Sequence, residues 1–139
     1  MKSKIVLIDD NSYEADLLTY SLAQLNYNYV VKFFSKPQEA YRYLTATEDP
    51  VFLIISDMNM PKLNGLELRK KIDSNKKLKK KSIPFIFFSS TEAEDEIAEA
   101  YEYGVHGYFK KPEDRKEAKE ILEIIIKYWQ RCRHPNKPE

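Results

Sequence analysis

Asp9 and Asp10 stand side by side directly after the apolar run Ile5-Val6-Leu7-Ile8, and Asp57 follows the run Val51-Phe52-Leu53-Ile54-Ile55-Ser56. Ser89 follows Phe85-Ile86-Phe87-Phe88, and Lys111 follows Gly107-Tyr108-Phe109-Lys110. Adjacent carboxylates at the end of a buried strand repel each other and lose hydration, so something cationic must compensate them. A carboxylate in such a position can bind a metal, accept a transferred group, or cap a helix. Capping is the plainer reading for Asp10, Asn11 or Ser12. It needs only one such residue, however, and leaves the doubled aspartate unexplained.

These residues can act together only if the elements before them bring their ends to one place. Short apolar runs rich in β-branched residues, without polar alternation, fit strands buried on both faces of a parallel sheet. Five such runs are present, over about 4–8, 29–34, 51–56, 83–88 and 106–110. Between and after them, helical spacing of apolar residues predicts five helices, over about 12–25 and 35–47, a third beginning with Leu66, Leu68 and Ile72, then about 92–103 and 113–133. Pro37 sits in the first turn of the second helix, Gly104 ends the fourth, and Pro61 and Gly65 punctuate the loop after Asp57. The acids Glu92, Glu94, Asp95 and Glu96 suit the dipole of a helix start. The tail His134–Glu139 is polar and is expected to fray.

Alternation of strand and helix calls for a doubly wound α/β fold, a five-stranded parallel sheet with helices on both faces. A common order for five strands is 2-1-3-4-5, with ligands at the carboxyl edge beside the switch point between strands 1 and 3. In that order Asp9, Asp10 and Asp57 crowd into one site, because neighbouring strands lie ~4.8 Å apart. Lys111, two strands from Asp57, starts ~10 Å away and can span much of the gap. Three carboxylates and one ammonium leave room for a hard divalent cation on oxygen ligands, and magnesium fits best. Metal, carboxylate, hydroxyl and ammonium together suit phosphoryl transfer. Asp57 is the expected nucleophile, Lys111 neutralises charge with the metal, and Ser89 donates a hydrogen bond.

Composition narrows the alternatives. A length of 139 residues fits one domain, 1–139 with a core over about 4–133, that buries ~68% of its unfolded surface. The net charge of +1 gives no global field toward nucleic acid or anionic membrane. The run Lys76-Lys77-Leu78-Lys79-Lys80-Lys81 reads as solvated charge rather than a nucleic-acid site. No apolar stretch approaches a membrane span, and the single Cys132 suits a reducing compartment, so a cytoplasmic location is expected. His106 and His134 share no ligand spacing with each other or with Cys132. With three glycines and no GxxxxGK[ST] motif, the chain is not built to cradle a nucleotide.

The ordered set Asp9-Asp10, Asp57 with Met60-Pro61 and Gly65, Ser89, and Gly107-Tyr108-Phe109-Lys110-Lys111-Pro112 resembles the receiver domain of bacterial two-component response regulators, over about residues 4–130. The lysine-rich extension and the Tyr128-Trp129 ending further resemble small stand-alone regulators, including those paired with bacterial phytochrome kinases. The resemblance implies that Asp57 accepts phosphoryl from a histidine kinase or phosphotransfer protein. It implies magnesium held by the side chains of Asp10 and Asp57, by the Asn59 carbonyl, and by Asp9 chiefly through water. It also implies that Ser89 swings toward the phosphoryl group, that Tyr108 rotates inward behind it, and that the Lys111-Pro112 peptide is cis. Output would pass through the fourth helix, fifth strand and fifth helix, including Tyr101, Ile124 and Tyr128, to a downstream protein or a second copy.

Two rival readings share the same backbone. A magnesium-dependent phosphohydrolase with an aspartyl nucleophile typically carries a second aspartate two residues on as general acid. Asn59 stands there and cannot donate a proton in that role. An interaction module that is never phosphorylated differs only in chemistry. On the receiver reading the chain catalyses its own phosphorylation and dephosphorylation and is not a turnover enzyme.

Overall fold

The computed structural model describes residues 3–60 and 64–136. The expected Pro61 contribution to the loop after Asp57 lies outside the described residues, as do residues 137–139 of the tail. In chain order the elements are β1 (Lys4–Ile8), α1 (Tyr13–Gln24), β2 (Val30–Phe34), α2 (Pro37–Ala46), β3 (Val51–Asp57) and α3 (Gly65–Ser74). Then come α4 (Lys76–Lys81), β4 (Phe85–Ser89), α5 (Glu94–Glu102), β5 (Gly107–Lys110) and α6 (Arg115–Arg131). The fourth helix expected from the sequence is α5, and the fifth is α6.

All the strand pairs are parallel, in the order β2-β1-β3-β4-β5. This is the doubly wound, flavodoxin-like arrangement. All seven residues of β3 are buried, as its unbroken apolar run requires of a central strand. Successive side chains go to opposite faces. Val6, Ile8, Ile54, Phe85 and Phe87 join residues of α2, α3, α4 and α5 in one core, while Ile5, Leu7, Leu53, Ile55 and Ile86 join α1 and α6 in the other. A register shift opposite Lys4 and Ile5 leaves Phe52 outside that alternation. It stacks instead with Tyr29, ring centroids 4.6 Å apart.

Two expectations need correction, and one helix was not foreseen. The lysine run, its charges solvated as expected at Lys76, Lys77, Lys79 and Lys80, forms a short helix beyond the five expected. Leu78 is 1% exposed, the Asn75 side chain accepts from the Leu78 N–H, and Ser82 closes the helix in the left-handed region. One buried leucine and two caps suffice for a turn and a half, despite the like charges. The tail does not fray as far as residue 136. The His134 ring stacks on Phe52 with Nε2 2.6 Å from the Phe52 carbonyl oxygen, and the Asn136 amide donates to the Lys81 carbonyl at 2.7 Å. Ring area outweighed the polar composition. The Lys111-Pro112 peptide is trans, since the described residues contain no cis peptide. Helix starts also fall slightly later than expected, at Glu94 and Arg115, because Ala93 and Asp114 occupy the N-cap positions.

Candidate functional site

β1 and β3 are neighbours with the strand order reversing between them, so the carboxyl edge there is a natural crevice. Ile8 pairs with Ser56, Asp57 with Phe88, and Ser89 with Lys110. That register sets Asp9, Asp10, Asp57, Ser89 and Lys111 along one edge. Carboxylate oxygens from Asp9, Asp10 and Asp57 all lie within 4.8 Å of one another. Asp9 is 2% and Asp57 6% exposed, whereas Asp10 faces solvent.

Lys111 closes the distance that its position on the far side of β4 imposes. Its backbone N–H donates to the Ser89 carbonyl at 2.8 Å. Its Nζ lies 2.9 Å from Asp9 Oδ2 and 3.3 Å from Asp57 Oδ2. Burial pushes the Asp9 carboxyl upward, and the hydrogen bonds from Lys111 and the Asn11 N–H draw it only part of the way back. Burial pulls Lys111 down, but its bond to Asp9 and the surrounding carboxylates together leave it raised. The ammonium is therefore held charged between two nearly dry carboxylates.

The remaining residues brace this arrangement. The Asn59 N–H donates to Asp57 Oδ1 at 3.2 Å, and the Asn59 amide reaches Ser89 Oγ at 3.5 Å. Ser89 Oγ also accepts the Thr91 N–H at 3.3 Å. Tyr108 packs edge-on against Phe87 and donates its hydroxyl to the Thr91 carbonyl at 3.0 Å. Gly65 is needed beneath Asp57, because a Cβ there would run into the Asp57 carbonyl and the Phe87 ring. At the other strand, Asp9 Oδ1 accepts the Asn11 N–H at 2.9 Å, and Ser12 at the N-cap makes no side-chain cap. The doubled aspartate is thus turned toward the site rather than spent on α1.

One acidic neighbour was not picked out from the sequence. Glu14, in the first turn of α1, is half-buried and within the field of Lys111, Asp9 and Asp57. Burial pushes its carboxyl upward. Its position four residues after Asp10 was the available signal, but acids in a first turn are ordinarily explained by the dipole.

Hard oxygen donors clustered this tightly, with the Lys111 ammonium as the one cation bridging them among the described residues, are a donor set that fits a small divalent cation. The sequence over residues 5–123 matches the response regulator receiver domain family. The chain belongs to that family. The receiver is 33% identical over 123 residues to the chemotaxis protein CheY1 of Helicobacter pylori, covering 88% of this chain and 96% of that one. It is 33% identical to a chemotaxis protein CheY homolog of Campylobacter jejuni, with 88% and 92% covered. Among solved structures it is similar to the phosphorylated cyanobacterial phytochrome response regulator RcpA, at 29% identity, a TM-score of 0.82 and coverage of 94% and 96%. Receiver proteins of this kind are signalling proteins rather than turnover enzymes, and they work generally by contact with histidine kinases and downstream targets. No helix among the described residues is long and apolar enough to cross a membrane.

Proposed function

We propose that Asp57 is the phosphoryl acceptor of this receiver, charged by a histidine kinase or a phosphotransfer protein. The observation that carries the reading is Lys111 Nζ lying between Asp9 and Asp57 at the carboxyl edge. It keeps Asp57 paired and oriented in a crevice where two further carboxylates stand ready for a cation. In the reaction a carboxylate oxygen of Asp57 forms a bond to phosphorus while the N–P bond of a phosphohistidine breaks. The electron pair returns to the imidazole, which takes a proton from water. Asp57 becomes an acyl phosphate, and attack by water later regenerates the carboxylate.

Asp10 and Asp57 side chains and the Asn59 carbonyl would hold Mg2+, with Asp9 acting chiefly through water. When bound, the ion would supply positive charge beside the phosphoryl oxygens. Lys111 would move from its bridge onto one phosphoryl oxygen, and Ser89 would turn its hydroxyl onto another. The loss of Ser89 Oγ as acceptor for the Thr91 N–H would then disturb the Thr91 carbonyl that Tyr108 uses. We place the output on α5, β5 and α6, where Tyr101 is 51%, Ile124 64% and Tyr128 61% exposed. Exposed large apolar residues on these two helices suit contact with a downstream protein or a second copy of this chain. A cytoplasmic location follows, since the phosphoryl donor is there.

Incubation of the purified protein with acetyl phosphate and Mg2+ should attach one acid-stable, base-labile phosphate per chain. Asp57→Asn should abolish it. Equal labelling of that variant would overturn the assignment, and turnover of several phosphomonoesters would favour a phosphohydrolase instead.

A further inference from the structure

Beyond α6 the chain runs to the start of β3, the end of that strand remote from Asp57. His134 stacks on the Phe52 ring, centroids 4.8 Å apart, with Trp129 edge-on at 6.1 Å. Its two ring nitrogens have different partners, and those partners fix where the proton sits. The Phe52 carbonyl can only accept, so Nε2, 2.6 Å away, carries a hydrogen. The Asn136 backbone N–H can only donate, so Nδ1, 2.9 Å away, carries none. The ring is neutral in this arrangement. Asn136 in turn gives its side-chain amide to the Lys81 carbonyl at the end of α4, at 2.7 Å. One imidazole and one asparagine therefore join α6, β3 and α4 at the amino edge of the sheet.

A proton added at Nδ1 would set two N–H groups against each other across that short contact. The bond to the Phe52 carbonyl survives in either form, and a charged donor strengthens it, so the ring stays on Phe52. Only the Asn136 side of the ring tells the two forms apart. We propose that His134 is a pH-sensitive latch: the neutral ring holds Asn136 on α4, and the protonated ring keeps Phe52 but releases Asn136 from Nδ1 and from Lys81. Latching excludes the second proton. The latched fraction is therefore greatest above the ordinary imidazole range, about 6.5, and falls as pH drops below it. Glu48, Asp49 and Lys81 line the cleft that Asn136 reaches, with Asp49 also paired to Lys4. Tyr29 stacks on Phe52, His106 meets Trp129 edge-on, Arg131, Cys132 and Arg133 close α6, and Lys137 and Glu139 follow in the chain. The acids favour the charged ring and the cations oppose it, so these groups set the midpoint. The change of partner at Nδ1 does not depend on them. Release withdraws Asn136 from the wall of the cleft, at the edge opposite the acceptor carboxylates, and needs no phosphoryl group.

The test is a nitrogen–proton NMR titration of the full chain from about pH 8 to about pH 5, following the His134 ring nitrogens and both amides of Asn136. The upper end should show the tautomer with hydrogen on Nε2. As pH falls, the Asn136 amides should move to solvent-like positions with the same midpoint as the ring, the ratio of latched to released tail dropping about tenfold or more. His134→Phe keeps a ring on Phe52 without a titrating nitrogen, so Asn136 should be released across the whole range. His106→Asn should leave the Asn136 transition in place, because His106 Nδ1 is bonded to the Phe85 N–H. Asn136 amides that stay put while His134 titrates would overturn the proposal. So would a ring that remains neutral to the bottom of the range, an Asn136 transition that persists in His134→Phe, or one that disappears in His106→Asn.

Discussion

Replacing Lys111 by methionine keeps most of its length and apolar stem but removes the charge that bridges Asp9 and Asp57. The two carboxylate side chains are 3% and 7% exposed, against 21% for the lysine, so water can compensate little of the loss. At an effective dielectric of about 20, each pair at these distances attracts by ~5–6 kcal/mol before desolvation is subtracted. Breaking a buried pair while leaving its partner in place costs about 3–5 kcal/mol. The partial exposure of Lys111 argues for the lower end, about 3 kcal/mol. For a chain of 139 residues the unfolding entropy is about 0.3 kcal/mol/K, so the melting temperature should fall by about 10 °C in metal-free buffer at pH 7. Mg2+ at ten times its Kd returns about 1.4 kcal/mol, or about 5 °C. The variant should gain more from Mg2+ than wild type does, because its carboxylates have lost the ammonium that bridges them. Differential scanning calorimetry with and without MgCl2 measures both effects. A variant melting within about 2 °C of wild type, with the same Mg2+ increment, would refute the view that Lys111 neutralises the pair.

Gly65→Ala forces a Cβ against backbone at Asp57 and Met58 and against the Phe87 ring. Overpacking of this kind costs about 1–3 kcal/mol. A urea midpoint lowered accordingly, with slower Asp57 labelling, is expected. His106 accepts the Phe85 N–H on Nδ1, and burial together with Arg69 lowers its pKa. The unfolded chain therefore binds a proton near pH 6.5 that the folded chain resists, so stability falls as pH drops below about 6.5. His106→Asn, which keeps an acceptor without a titrating group, should flatten that part of the urea midpoint–pH curve. Truncation after Arg133 removes the His134–Phe52 stack and the Asn136–Lys81 bond. It should cost about 1–2 kcal/mol by thermal denaturation.

The strand runs carried most of the fold. An apolar segment such as Val51–Ile55, too short for a helix and without alternation, is stable only when covered on both faces, and this leads to a parallel sheet with flanking helices. The site followed because aspartates at strand ends inherit their positions from the sheet. Asp9, Asp10, Asp57, Ser89 and Lys111 do share one edge, as strand order required. What local pattern could not supply were contacts between residues distant in sequence. His134 read as a frayed polar residue because nothing near it in the chain shows that Phe52 lies beneath it. The helix in the lysine run was not foreseen because one buried leucine and a side-chain cap leave no periodic trace.

The sequence by itself determined which residues could do chemistry and the layer architecture that gathers them, since residue type and apolar periodicity are local properties. Tertiary structure alone decided how they are wired. It put Lys111 on both Asp9 and Asp57 and gave Tyr108 the Thr91 carbonyl. Hydrogen bonds are short and directional, and each donor proton goes to one of several competing acceptors. Which acceptor receives it depends on distances of a few tenths of an ångström, set by packing across the whole domain.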